Sequence, residues 1–286
     1  MKNVIEIKNL EKKYSNFTLS IPKLNIPSGM IVGLIGENGA GKTTFIKTIL
    51  NIVKKDNGFI KIFDKAFEED ELNIKENIGV VLDEGFFPDI LNCKDINSIM
   101  ASIYKTWDSN YFYDYLKKFN INHSQILKTM SKGMKKKIEI ITALAHKPKL
   151  LILDEATSGL DPIVRNEILE LFLDFIKDED HSIILSTHIT SDLEHIADHI
   201  IFINNGSIVL DKPTEEITNN YGILKCNIDD FSQIDTSDIV TYKKNKYDYE
   251  ILVNDKSKQK KKYKNFVIDN ITIEDLMLLV VKGEKL

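Results

Sequence analysis

An α/β domain organised around a largely parallel sheet is predicted by three features of the 286-residue sequence. Short, fully apolar runs (Met30–Ile35, Leu150–Leu153, Ile183–Leu185) have the length and composition of strands buried on both faces. Each runs directly into glycines or small polar and charged residues. Segments with helical spacing of apolar residues lie between them, as in β–α–β units. Hairpin-like patterns near both ends imply antiparallel additions, so the sheet is mixed.

In chain order, Val4–Ile7 alternates apolar and polar residues and reads as a strand. Phe17, Leu19 and Ile21 alternate again, and Pro22 is expected to end that run. Pro27-Ser28-Gly29 is a turn before the Met30–Ile35 strand. Phe45, Ile46, Ile49, Leu50 and Val53 mark a helix over 43–53. Gly58 precedes another alternating stretch, and Ile78–Leu82 is a further strand. Residues from about 95 to 147 are mostly helical in pattern and hold the sole tryptophan, Trp107. The Leu150–Leu153 strand ends in Asp154-Glu155. Pro162 suits a first helical turn, and Ile168, Leu171, Phe172 and Phe175 form one face of that helix. Ile183–Leu185 ends in Ser-Thr-His, and Ser191-Asp-Leu-Glu194 has the pattern of a capping box. Ile200–Ile203, Asn205-Gly206 and Ser207–Leu210 spell a hairpin, since Asn-Gly supplies the positive φ angles of a tight turn. The character then changes to short mixed segments and a Lys-rich stretch, with a short helix at Thr272–Val281 whose apolar run Leu276–Val281 is expected to form tail core. The expected division is a domain over 1–220, with a helical subdomain at about 88–147, and a small accessory domain over 221–286.

Hydrophobic residues make up 43% and charged residues 28%, enough apolar material for a packed core. No apolar run approaches the roughly 18–20 residues that cross a bilayer. The start of the chain alternates and carries Glu6, unlike the apolar stretch of a signal peptide. Cys93 and Cys226 form no CxxC pair, which suits a reducing cytoplasm. The net charge of −5 combines +6 over residues 243–264 with −11 over the rest, so no nucleic-acid partner is expected. Of 38 basic residues only Arg165 is arginine; any role needing a guanidinium fork falls to it or to a partner.

Gly36-Glu37-Asn38-Gly39-Ala40-Gly41-Lys42-Thr43-Thr44 satisfies the pattern GxxxxGK[ST] between a strand and a helix. Glycines let successive N–H groups converge on phosphate oxygens, and the helix N-terminus adds positive potential there. Lys42 is the expected counter-charge to the β- and γ-phosphates, and Thr43 an expected hydroxyl ligand of Mg²⁺. Asp154 ends a buried strand, where a carboxylate holds Mg²⁺ directly or through water. Glu155 is then placed to polarise an attacking water.

With these in place the sequence resembles the ATP-binding subunit of an ABC transporter. Ser131-Lys-Gly133-Met-Lys-Lys-Lys137 resembles that family's signature, Ser158-Gly-Leu-Asp161 its D-loop, and Ser186-Thr-His188 its switch histidine. Tyr14 matches the aromatic position that stacks on adenine. The resemblance spans residues 4–220. It implies a P-loop NTPase of ABC ATPase type, with ATP and Mg²⁺ as cofactors and two nucleotides sandwiched in a head-to-tail homodimer or heterodimer. Ser131 and Gly133 would meet the nucleotide of the other subunit, His188 the γ-phosphate, and Asp161 would couple the two sites. It also implies a separate membrane-spanning partner and a position on the cytoplasmic face of the cell membrane. The glycine-light signature, the tail and a missing Q-loop glutamine resemble the branch that exports drugs, peptides or lipids. Ile78-Gly-Val-Val-Leu-Asp83-Glu84 occupies the Q-loop, so Asp83 or Glu84 would serve Mg²⁺ and water. Lys132 and Met134 replace a glycine and a glutamine of the signature, and Lys132 is expected to point into solvent.

Two other readings remain within the family: a soluble ATPase acting on ribosomes or DNA, and a regulatory subunit that hydrolyses ATP weakly. A single cradle and the absence of sustained heptads oppose the first; Glu155 and His188 oppose the second. Asn245-Lys-Tyr-Asp248 imitates a guanine-reading motif without a buried strand before it. His188, Asp192, His195 and His199 lack the context of a metal site. Phe86-Phe87-Pro88 suits either packing or a groove for a membrane subunit, and the Lys-rich stretch is expected to be a solvated loop.

Overall fold

The computed structural model describes residues 2–284. β1 (Asn3–Tyr14) and β2 (Phe17–Pro27) form an antiparallel pair, and β3 (Ile31–Ile35) leads into α1 (Lys42–Ile49). β4 (Asn57–Ile62) and β5 (Lys65–Ala66) are followed by α2 (Glu71–Glu76) and β6 (Ile78–Val81). Three helices come next: α3 (Cys93–Ile103), α4 (Ser109–Lys118) and α5 (Lys132–Ala145). β7 (Leu150–Asp154), α6 (Pro162–Phe175), β8 (Ser182–Ser186) and α7 (Thr190–Ile196) alternate up to the hairpin β9 (His199–Asn204) and β10 (Ser207–Pro213). α8 (Thr214–Asn220) connects to β11 (Gly222–Asn227), β12 (Ile239–Lys244), β13 (Asp248–Val253), α9 (Lys256–Lys262), β14 (Val267–Asn270) and α10 (Ile273–Lys282).

The central sheet has the order β10-β9-β3-β8-β7-β6. Its last five members run parallel and β10 is antiparallel, the mixed sheet expected from the alternation. Period-two alternation assigns its side chains to two layers. Val32, Leu34, Ile152 and Ile184 join β1, β2, β4 and α1 in one core. Ile31, Ile35, Leu151, Leu153, Ile183 and Leu185 join α6 and α7 in the other. Burial on both faces explains why these strands are wholly apolar. A separate core gathers Cys93, Ile96, Phe112, Leu116, Ile138 and Ile141 from α3, α4 and α5, with Trp107 packed against it.

The third sheet, β12-β13-β11-β14, has a small core of its own around Leu224, Ile251, Val253 and Tyr263. Yet Ile223, Leu252, Ile273, Leu276 and Leu279 belong to the same core as α6 and α7. The N-terminus of α10 is also pinned to α7, since Ile273 N donates to Glu194 Oε1 at 2.8 Å.

Several local expectations fail for identifiable reasons. Pro22 does not end its strand: β2 is the edge of its sheet, and the ladder resumes between Lys8–Lys23 and Leu10–Ile21. The helix after the phosphate-binding loop stops at Ile49, not Val53. The Ser191–Glu194 capping box does not form, because α7 starts at Thr190 and Glu194 instead accepts from Ile273 N in the first turn of α10. His195 lies in the last turn of α7 and His199 begins β9, where it contacts Asp211 at 2.6 Å, so the two histidines do not share a helical face. Asn245 and Asp248 close the β12–β13 turn on each other, Asn245 Nδ2 donating to Asp248 Oδ1 at 2.9 Å.

The Lys-rich stretch is folded as β12, β13 and α9 rather than a loop. Its anchor is Asp238, which accepts from Lys262 at 2.6 Å, Tyr263 at 2.8 Å and Gln259 at 2.9 Å. Burial pushes the Asp238 carboxyl up, but these three donors outweigh it and hold it at about 2, below its ordinary 3.8. Both cysteines are free and buried, and burial pushes the Cys93 thiol up to about 11.

Leu276→Ala is expected to lower unfolding free energy by about 2–5 kcal/mol, whereas truncating Leu72, which is 86% exposed, should change it by less than about 0.5 kcal/mol; denaturant unfolding measures both. The stabilisation from Asp238 is complete above its ordinary pKa of 3.8 and lost as pH falls through about 2. Asp238→Asn should therefore weaken the tail at neutral pH and flatten the acid limb of its unfolding, followed by near-ultraviolet dichroism.

Candidate functional site

The candidate site residues gather at the C-terminal ends of the parallel strands. β3 turns at Gly36 into the loop that opens α1. A side chain at Gly36 would put its Cβ 2.3 Å from Ile203 O, and one at Gly41, where φ is +111°, 2.7 Å from Phe17 Cζ. Glycine at both lets the loop coil between the β9–β10 hairpin and Phe17. Gly206 N donates to Ala40 O at 2.9 Å, tying that hairpin to the loop. Asn205 and Gly206 have φ of +46° and +74°, as the Asn-Gly turn requires.

Lys42 is 6% exposed, and its ammonium donates to Gly36 O at 2.7 Å and Glu37 O at 3.2 Å. Burial pushes its pKa down, while the nearby charges of Glu155 and Asp154 push it back up. Asp154 closes β7, is 1% exposed, and leaves Oδ1 without a hydrogen-bond partner. A buried carboxylate oxygen of this kind calls for a cation or a water. Thr43, in the first turn of α1 after Lys42, offers a hydroxyl, and a carboxylate with a hydroxyl is an all-oxygen donor set of the kind that suits Mg²⁺.

Glu155 leaves the strand in a left-handed conformation, φ +52°, and its N–H donates to Ser186 O at 2.9 Å on β8. A non-glycine residue held there is strained, and the neighbouring strand imposes the strain. The turn sends its carboxylate to His188, whose Nδ1 lies 2.6 Å from Glu155 Oε2. Thr187 fixes the backbone after β8 by accepting from Ile189 N at 3.0 Å.

A cavity of about 630 Å³ is lined by Tyr14, Phe17, Glu37, Asn38, Gly39, Gly41, Lys42, Thr43, Thr44, Asp83, Glu155, Ser158 and His188. Gly36, Ala40 and Asp154 do not line it. Of the two carboxylates after β6, Asp83 lines this cavity and Glu84 does not. Tyr14 is 47% exposed at its mouth, with its ring 6.4 Å from that of Phe17 and Lys12 Nζ 5.4 Å from its centroid. Phe17 carries no motif in the sequence; its place as the first residue of the strand after the Tyr14 turn is the one signal.

Ser131, Gly133 and Asp161 do not line the cavity. Ser131 caps α5, accepting from Met134 N at 3.2 Å, and Gly133 lies in the first turn of that helix rather than before it. Asp161 caps α6, accepting from Ile163 N and Val164 N at 3.1 Å. Arg165 braces the same turn by donating to Leu160 O at 3.3 Å. Lys132 is exposed but not free in solvent: its Nζ lies 2.6 Å from where a Cβ on Gly159 would stand. Signature and D-loop are therefore in contact within one chain.

The profile of the ABC transporter family matches residues 19–158. The chain is 35% identical over 226 residues to the lantibiotic transport ATP-binding protein SrtF of Streptococcus pyogenes, covering 76% of this chain and 96% of that protein. It is 33% identical over 220 residues to the bacitracin transport ATP-binding protein BcrA of Bacillus licheniformis, covering 76% and 72%. A solved structure of the ATP-binding subunit of an ABC transporter superposes with a TM-score of 0.67 at 26% identity, over 75% of this chain and 91% of that one.

Lys42→Ala should weaken ATP binding roughly 10–100-fold, since a charge-assisted bond is worth about 1.5–3 kcal/mol. Titration with a fluorescent ATP analogue checks this.

Proposed function

The chain belongs to the ABC transporter family of ATP-binding proteins, and from that premise we propose a residue-level account of how it hydrolyses ATP to drive export through a separate membrane subunit. The observation that carries it is the convergence of Lys42, Glu155, His188 and Asp83 on one cavity, with Ser131 and Gly133 outside it.

Tyr14 and Phe17 at the mouth receive the adenine, by stacking. Lys42 exchanges the carbonyls of Gly36 and Glu37 for β- and γ-phosphate oxygens. The N–H groups of residues 39–44 surround the phosphates at the start of α1. Thr43, Asp154 and Asp83 would hold Mg²⁺, which would supply positive charge against the phosphates. Glu155 accepts a proton from the attacking water as its oxygen bonds to the γ-phosphorus and the bond to the β-bridging oxygen breaks. ADP and phosphate leave. His188 holds Glu155 in line and touches the γ-phosphate.

Because Ser131 and Gly133 stand outside the cavity of their own chain, they are free to complete that of a second ATPase subunit, identical or different. ATP then bridges the two halves, and hydrolysis removes the bridge. Asp161, at the N-terminus of α6, couples the sites. Among the described residues no helix is long and apolar enough to cross a membrane. The membrane subunit therefore supplies the pathway, and the chain works at its cytoplasmic face. Phe86, 46% exposed just beyond Asp83, belongs to the surface that meets it. The similarity to bacitracin and lantibiotic transport proteins supports an exported cargo of that general kind, chosen by the membrane subunit.

Glu155→Gln should cut hydrolysis at least about 100-fold and accumulate an ATP-dependent dimer, read by size exclusion with light scattering. A variant that stays monomeric at high concentration in ATP and Mg²⁺ refutes the sandwich. Purification from the native membrane should bring a multi-span membrane protein; ribosomal proteins in its place would overturn the transport reading.

A further inference from the structure

The segment after β6 is held at three points by the helix that carries the signature. Lys136 Nζ donates to Leu82 O at 3.1 Å and pairs with Glu139 Oε2 at 2.8 Å. Lys135 reaches Asp89 Oδ1 at 2.6 Å. Between them Gly85 lies on Glu139, where a Cβ would stand 2.8 Å from Oε1, so the carboxylate occupies the space a side chain would need.

Lys136 and Glu139 are 5% and 7% exposed. Together with Asp83 and Lys132 they line a second cavity of about 460 Å³, and Asp83 stands on the wall of both cavities. Burial pushes the Glu139 carboxyl up; Lys136 and Lys135 pull it back, and the charge of Asp83 pushes it up again. The pair and Asp83 therefore share one electrostatic environment. A buried ion pair contributes little net stability compared with apolar residues of the same volume, so stability alone is a weak reason for this one. Its geometry supplies another. The carbonyl of Leu82 and the amide nitrogen of Asp83 belong to one planar peptide unit, so holding the first orients the second.

We infer that Lys136 is a positioning residue for Asp83: by holding the Leu82 carbonyl from α5, it sets the direction in which the Asp83 carboxylate enters the nucleotide cavity. The same contact ties that carboxylate to the helix that begins at Ser131, so a shift of α5 is felt at Asp83. The inference rests on the reading of Asp83 as a carboxylate that acts at the nucleotide.

The test is a double-mutant cycle on the full chain, using Asp83→Ala, Lys136→Met and the two combined, with Lys136→Arg as the conservative variant. ATP hydrolysis is measured across an Mg²⁺ titration, and nucleotide affinity separately with a fluorescent ATP analogue in EDTA. Lys136→Met should lower kcat roughly 10-fold, the scale of a sub-ångström to 1 Å misplacement. It should also raise the half-saturating Mg²⁺ and leave affinity in EDTA unchanged. Added to Asp83→Ala it should cost nothing more, and Lys136→Arg should recover most of kcat. Should Lys136→Met fail to fold, Lys136→Met with Glu139→Leu removes both buried charges and takes its place in the cycle. An impaired Asp83→Ala beside a silent or additive Lys136 variant overturns the positioning role alone. An unimpaired Asp83→Ala overturns the reading of Asp83 and this inference with it.

Discussion

The site depends on one constraint: parallel strands buried on both faces can place polar residues only where they end. β3, β6, β7 and β8 run side by side in the same direction, so their C-terminal ends lie along one edge of the sheet. The phosphate-binding loop, Asp83, Asp154-Glu155 and His188 are what follow those four ends. Residues far apart in sequence meet because each lies within a few residues of the end of its buried strand. β9 ends at the same edge, and its hairpin with β10 supports the loop through Ala40 and Gly36.

The charges at this edge are arranged in opposition before any ligand arrives. Burial disfavours the Lys42 ammonium, and Asp154 and Glu155 restore it. Its hydrogen bonds go to carbonyls of its own loop, partners that phosphate oxygens would replace on the proposed reading. Asp154 has an oxygen with no partner at all. Glu155 is held in left-handed backbone by β8 and pointed at His188, which leaves the same strand two residues on. Such preorganisation places the reorganisation cost in folding rather than in the chemical step.

Those features were legible because each is a local pattern with a physical cause. An apolar run followed by Gly-rich or acidic residues announces a buried strand ending in a site, and Asn-Gly announces its turn. What escaped was set by partners distant in sequence. Pro22 is tolerated because β2 is an edge strand, which the run itself does not reveal. Glu194 fits a capping box three residues from Ser191, but the N-terminus of α10, 79 residues away, takes it instead. Phe17 guards Gly41 across the hairpin. Lys136 and Glu139 carry no motif role of their own in the sequence, yet they are buried beneath the loop that carries Asp83. A charge run resembles a solvated surface unless the fold shows what lies over it.

The tail requires a different account from that of an appended unit. Its sheet has its own core, but α10 also contributes to the core shared with α6 and α7. α7 begins two residues after His188, and Leu193 and Ile196 are buried on the side where Ile273, Leu276 and Leu279 lie. The backbone at Ile273 is fixed to the same helix through Glu194. The loop bearing His188 is thus anchored at one end by β8 and at the other by a helix enclosed between the central layer and the tail. Its position follows from both. Removing the tail would uncover α7 and loosen one of the two supports of the histidine that meets Glu155, so residues beyond 221 bear on the site without reaching it.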